Sequence, residues 1–129
     1  MKRATSRKTA RRQALYLLYQ WDLTGQELAS LYEGEPDEFA RSLAEVVSAR
    51  ADTLDVRISA ASPDWPADRL GTLERNILRI GVYELEEETV PREVAINEAV
   101  VLAKRYASED AARLVNGILA RVAREEEAA

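Results

Sequence analysis

Apolar residues recur along this chain at intervals of three and four and almost nowhere alternate as in a strand, which predicts an all-α fold of some six or seven helices. Ala10, Ala14, Leu15, Leu17, Leu18 and Trp21 form the inner face of a first helix ended by Thr24 and Gly25. Glu27 to Glu33 is read as about two turns, closed by Gly34 and Pro36. From Asp37 to Ala60, Phe39, Leu43, Val46, Val47, Ala51, Leu54 and Ile58 keep one helical period, which predicts a single long amphipathic helix. Pro63 and Pro66 around Trp65 then break the chain. Trp65 is expected to fold back over the core as a lid, with base stacking as the alternative.

Leu70 to Glu87 is apolar on two sides: Leu73, Ile77, Ile80 and Gly81 on one, Leu78, Val82 and Leu85 on another. Such a helix belongs between neighbours, at the centre of the fold. Glycine in a helix interior costs about 1 kcal/mol against alanine, so Gly81, and Gly117 in the last helix, predict close approach of another backbone. Glu74, Arg75 and Arg79 read as a polar edge of this helix, either solvated ion pairs or a partner-binding surface. Pro91 to Leu119 reads as a helical hairpin. Pro91 suits a first helical turn, Lys104 and Arg105 fall in a last turn, and Ser108 is a good N-cap followed by Glu109 and Asp110. Asn97, Glu98 and Asn116 are expected to be buried polar ties between helix ends.

The 129 residues suit one domain, and charge divides it. Residues 1–12 hold Lys2, Arg3, Arg7, Lys8, Arg11 and Arg12 and no acid, leaving 12 basic against 23 acidic residues beyond, a balance of −11. A basic arm continuous with the first helix thus precedes an acidic helical body, residues 13–129. Arg7 and Arg11 align at i,i+4, as do Lys8 and Arg12, and such repelling rows predict that the first six to nine residues order only on a polyanion. The arm reads either as a solvated leader or as a phosphate-binding element. Tyr16, Tyr19 and Gln20 bring aromatic and amide groups near it, while Trp21 is expected in the core.

There is no cysteine and no histidine, which removes thiol nucleophiles, imidazole-based triads and the usual zinc sites. The five glycines are isolated, so there is no phosphate-cradling loop, and the acidic runs Glu86 to Glu88 and Glu125 to Glu127 sit at helix ends without an apolar pocket. The expectation is a protein that is no enzyme and takes no cofactor or metal. No apolar run reaches membrane-span length and no signal-peptide pattern appears, so the reading is soluble and cytoplasmic. Residues alone lead to a small helical binding module with a cationic arm.

Several blocks in order go further: Arg11-Arg12-x-Ala14-Leu15 with Tyr19 and Asp22; Glu74-Arg75-x-x-Leu78-Arg79-Ile80-x-x-Tyr83-Glu84-Leu85; Pro91-x-x-Val94-Ala95-Ile96-Asn97-Glu98-Ala99-Val100; Leu102-Ala103-Lys104; and Val115-Asn116-Gly117-Ile118-Leu119. Together they resemble the NusB family of transcription antitermination factors, with Glu27 to Ala61 the least matched. Leu114 stands where that family often has phenylalanine, a volume-tolerant core change. Related domains also occur fused to RNA methyltransferases, which this chain is expected to lack.

The resemblance implies an all-helical RNA-binding domain that binds the boxA element of ribosomal RNA transcripts together with NusE, a ribosomal protein, and joins an RNA polymerase antitermination complex. It implies RNA contacts from the arm, here Lys2, Arg3, Arg7, Lys8, Arg11 and Arg12, with Tyr16 beside it. It adds the corner between the last two helices, here Lys104, Arg105, Tyr106, Ser108 and Asp110. Tyr106 is read either as a stacking platform for a base or as a cap on the core. Asp110 would accept a hydrogen bond from a base amino group or weaken binding by repulsion. Glu74 is the candidate contact for the basic NusE partner. Two other functions stay open: a NusB-like factor in ribosomal RNA maturation, and a protein-interaction module with an incidental arm. The family includes monomers and dimers, so a homodimer is open too.

Overall fold

The computed structural model describes residues 6–128, and those residues form six α-helices joined by short connections, with no strand among them. Helix α1 (Arg7–Thr24) starts at Ser6, whose Oγ accepts a hydrogen bond from the Thr9 N–H at 3.2 Å. It stops at Gly25, whose left-handed φ of 73° lets its N–H reach the Trp21 carbonyl at 3.0 Å. Lys2 and Arg3 lie outside the described residues. A short 3-10 turn, Leu28–Leu31, replaces the two expected helical turns.

The single helix expected from Asp37 to Ala60 is in fact two, α2 (Glu38–Ala49) and α3 (Ala51–Ala61). The chain turns at Arg50, where φ −102° and ψ 10° leave the helical basin. Arg50 is held outward: its Nη1 donates to Glu87 Oε1 at 2.5 Å and its guanidinium lies 5.6 Å from the Tyr83 ring centre. The bend keeps Val47 of α2 and both Leu54 and Ile58 of α3 buried in one core.

Helix α4 (Thr72–Glu87) contacts all five other helices, as its two apolar faces predict. Ile77, Leu78, Ile80, Val82 and Leu85 are buried along it. A Cβ on Gly81 would stand 2.7 Å from Leu119 Cδ1, so the close neighbour is a packed side chain rather than a backbone. Gly117 differs from its expectation altogether: a Cβ there would meet nothing within 4 Å. Helices α5 (Arg92–Tyr106) and α6 (Glu109–Ala128) form the expected hairpin.

Trp65 is no lid. Its N–H closes a turn on the Ser62 carbonyl at 3.0 Å, and the ring stands 54% exposed, while Ala67 and Leu70 cover that end of the core instead. Asn97 and Asn116 are exposed on the outer faces of α5 and α6, so neither is a buried tie. The buried polar groups come from α1 and α4: Arg11, Asn76, Arg79 and Glu84. Arg75 and Arg79 likewise form no solvated edge. Asp22 Oδ2 accepts from Arg75 Nε at 2.9 Å, Asn76 Nδ2 at 3.0 Å and Arg79 Nη1 at 3.0 Å. Arg79 also grips Asp55 with Nε–Oδ1 at 2.7 Å and Nη2–Oδ2 at 2.6 Å. Trp21 packs half-buried against the core, with the Arg79 guanidinium 5.8 Å from its ring centre. Every buried side-chain N or O atom among the described residues has a hydrogen-bond partner.

Candidate nucleic-acid interface

The helical period splits the basic rows of α1 between two faces. Arg7 and Lys8 are exposed, and Arg12 is half-buried at the surface. Arg11, one residue earlier, faces inward. Its Nε donates to Glu84 Oε1 at 2.9 Å and Oε2 at 3.1 Å, and its Nη2 to Oε2 at 2.8 Å. The two side chains are 4% and 3% exposed. Burial alone would lower the Arg11 pKa, but the hydrogen bonds and charge of Glu84, with Glu98 beyond it, raise it above the ordinary arginine value. Arg11 is therefore a buried charge fixing α1 to α4, not one of an exposed row with Arg7.

The exposed cations are lightly held. The Arg7 guanidinium lies 4.9 Å from the Phe39 ring centre, Lys8 Nζ is 3.8 Å from Glu98, and Arg12 Nη2 donates to Thr9 Oγ1 at 3.2 Å. The Lys8 pair is mostly open to water at the lysine end, 76% exposed, so it binds weakly. One turn on, Tyr16 is 56% exposed and its hydroxyl accepts from Gln20 Nε2 at 3.0 Å.

Tyr106, at the end of α5, meets this surface. It is 44% exposed, and with Arg12 and Tyr16 it lines two adjoining concavities. One, of about 350 Å³, is completed by Leu15, Tyr19 and Leu73 and has no acidic lining. The other, of about 450 Å³, carries Glu33, Glu35 and Asp37 on its far wall. The first is aromatic with one guanidinium at its rim, which suits an unstacked base; the acids of the second repel phosphate and confine a polyanion to the Arg12 side. Tyr19, which the sequence placed beside the arm but not among the RNA contacts, lines the hollow with Tyr16, whereas Leu73 reaches it only through the tertiary fold.

The remaining corner residues flank these hollows without lining them. The Arg105 guanidinium sits 5.5 Å from the Tyr106 ring centre, and Lys104 Nζ is 3.7 Å from Glu109. Ser108 Oγ accepts from the Ala111 N–H at 3.0 Å as the α6 N-cap, and exposed Asp110 pairs with Arg113. Glu74 is half-buried and folds back beside Gly71 at the α4 N-terminus, where its charge suits the dipole. Among the described residues no three acidic side chains gather as a metal-binding group, and no helix is long and apolar enough to cross a membrane.

A model of the NusB family matches residues 8–124. The chain is 40% identical over 121 residues to the transcription antitermination protein NusB of Rubrobacter xylanophilus, covering 88% of this chain and 87% of that protein. It is 39% identical over 132 residues to the protein of that name from Myxococcus xanthus, covering 92% and 94%. Among solved structures, T. maritima NusB superposes with a TM-score of 0.84 at 32% identity, over 95% of this chain and 94% of that one. A crystal structure of the antitermination factors NusB and NusE in complex with dsRNA gives 0.80 at 31% identity, over 92% and 96%.

Proposed function

The chain belongs to the NusB family, and from that premise we propose that it is an RNA-binding transcription antitermination factor. With NusE it binds the boxA element of ribosomal RNA transcripts and joins the RNA polymerase antitermination complex. It works in the cytoplasm by binding, without a catalytic step. The observation that carries this reading is the meeting of Arg12 and Tyr16 from α1 with Tyr106 from α5 around an acid-free aromatic hollow. Lys2, Arg3, Arg7, Lys8 and Arg12 hold phosphates, and Lys104 and Arg105 extend that charge around the corner. Tyr16, Tyr19 and Tyr106 stack a base, and Ser108 and Asp110 address base edges. Glu74 meets the basic NusE partner. Arg11 has no part in RNA contact.

Fluorescence anisotropy tests this with a boxA-like single strand, a scrambled strand and a duplex, each with and without NusE at two salt concentrations. The duplex is included because a structural relative was solved with dsRNA. Tighter binding of the boxA strand, strengthened by NusE and weakened by salt, is the expected result. Equal binding of boxA and scrambled strands that NusE does not improve refutes the reading.

A further inference from the structure

A second groove runs along α6 on the far side of the corner, about 420 Å³, between that helix and the Ala61–Trp65 turn. Arg113, Gly117, Arg121 and Arg124 fall along one stripe of α6 that spans about 16 Å. Trp65 forms the opposite wall, and Asp64 is the one acid in the lining. A cationic groove on a body of net negative charge selects for an anion.

Three features of this groove have no internal explanation. Trp65 is held out by its turn with more than half its surface in water and no cation over its ring among the described residues. Gly117 is exposed in the middle of a helix, has no left-handed φ, and has nothing near the place of its missing Cβ. Arg124 has no acidic partner among the described residues, and Arg121 has only a 3.4 Å contact with Glu125. An aromatic face, an unpaired Arg124 beside a weakly paired Arg121, and a bare stretch of helix together are the parts that hold an extended single strand: a base on the ring, phosphates on the arginines, a backbone passing close over Gly117.

We propose that this groove binds single-stranded RNA flanking the segment held by the arm and corner. This rests on the RNA-binding reading above. The groove is continuous with the corner, because Asp110 of the corner pairs with Arg113 at the groove's near end. The strand leaves the corner there, crosses Gly117 and reaches Trp65 and Arg124.

The test uses the full chain with NusE and two RNAs: a short strand sized to the arm and corner, and the same strand extended at both ends with oligouridine. Wild-type protein is expected to bind the extended strand about tenfold more tightly than the short one. Trp65→Ala, and separately R121E/R124E, should erase that gain while leaving short-strand affinity unchanged. The charge variant should also flatten the log–log salt dependence of extended-strand binding by about 1.4, for two phosphates at roughly 0.7 each. Gly117→Gln, which no neighbour opposes, should reduce the gain by obstructing the groove floor. Circular dichroism melts check that the variants fold. No extra affinity for the extended strand, or a gain that survives Trp65→Ala and R121E/R124E, overturns the proposal, as does loss of a protein partner's binding with the RNA gain intact. K8E/R12E separates the readings: it should abolish binding of both strands, and if it does not, the arm-centred reading itself falls.

Discussion

Arg11→Met removes the guanidinium from the Arg11–Glu84 pair, keeps an apolar stem of similar reach and leaves Glu84 buried and charged without its donor. Neither side chain sees appreciable water, so no solvent screening softens the loss. Deleting one partner of a buried, hydrogen-bonded ion pair costs about 3–5 kcal/mol, a large share of the roughly 5–15 kcal/mol that holds a domain folded. The expected fall in melting temperature is roughly 10–25 °C. Urea denaturation followed by circular dichroism reads the loss as a lower midpoint at unchanged slope. R11M/E84L, which replaces both charges with apolar groups, should recover to within about 2 kcal/mol of the wild type. RNA affinity, measured where each variant is folded, should stay within about twofold of wild type because Arg11 does not reach the surface; a twofold change is only about 0.4 kcal/mol. An Arg11→Met protein as stable as wild type but with RNA binding lost to the extent expected of K8E/R12E would refute the structural role and return Arg11 to the phosphate-binding set.

Gly81→Ala and Gly117→Ala should move stability in opposite directions. The first forces a Cβ against packed Leu119 and costs about 1–3 kcal/mol; the second meets open space and gains up to about 1 kcal/mol. Parallel denaturation curves check both. Asp22→Ala leaves Arg75, Asn76 and Arg79 without their shared acceptor and should cost about 1–3 kcal/mol, seen as a lower urea midpoint with RNA affinity of the folded protein retained. Burial raises the Glu86 carboxyl pKa, partly countered by Arg57 and reinforced by Glu126. A raised folded pKa gives stability that is present below the unfolded value and lost as pH rises through the folded one. Glu86→Gln should therefore melt higher than wild type at pH 7, by at most about 0.5 kcal/mol after solvent screening, and lose that advantage below about pH 4. Thermal melts at the two pH values decide it.

Periodicity was enough to read an all-helical chain, the central place of α4 and the α5–α6 hairpin, because each rests on local spacing and on caps such as Ser108. It failed where distant residues decide. The break between α2 and α3 has no proline or glycine to announce it, and the partner of Arg50 at the bend, Glu87, is 37 positions away. Arg11 looked like one of an exposed row because Arg7 is four residues earlier, while the carboxylate that buries it is 73 residues downstream. Asn97 and Asn116 were placed inside on residue type alone, yet both lie on outward faces. At the interface, Arg12, Tyr16 and Tyr106 were legible one by one, but the hollow they share with Tyr19 and Leu73 exists only after α1, α4 and α5 pack.

Helix α1 is fastened to α4 twice, with the sign of charge reversed between the two points: an arginine supplied by α1 near its start, at Glu84, and a carboxylate supplied by α1 near its end, at Arg75 and Arg79. Apolar packing alone would tolerate a helix that slips along its neighbour by a turn or rolls about its axis. Here either movement pulls an ion from its counterion at both ends at once, so intermediate positions have no shallow minimum to rest in. The amide hydrogens in the middle of α1 should therefore exchange with solvent only in the slowest class, together with those of α4, as one cooperative unit. RNA would then meet a surface whose spacing of Arg12, Tyr16 and Tyr19 is set before it arrives, with little ordering left to do on contact.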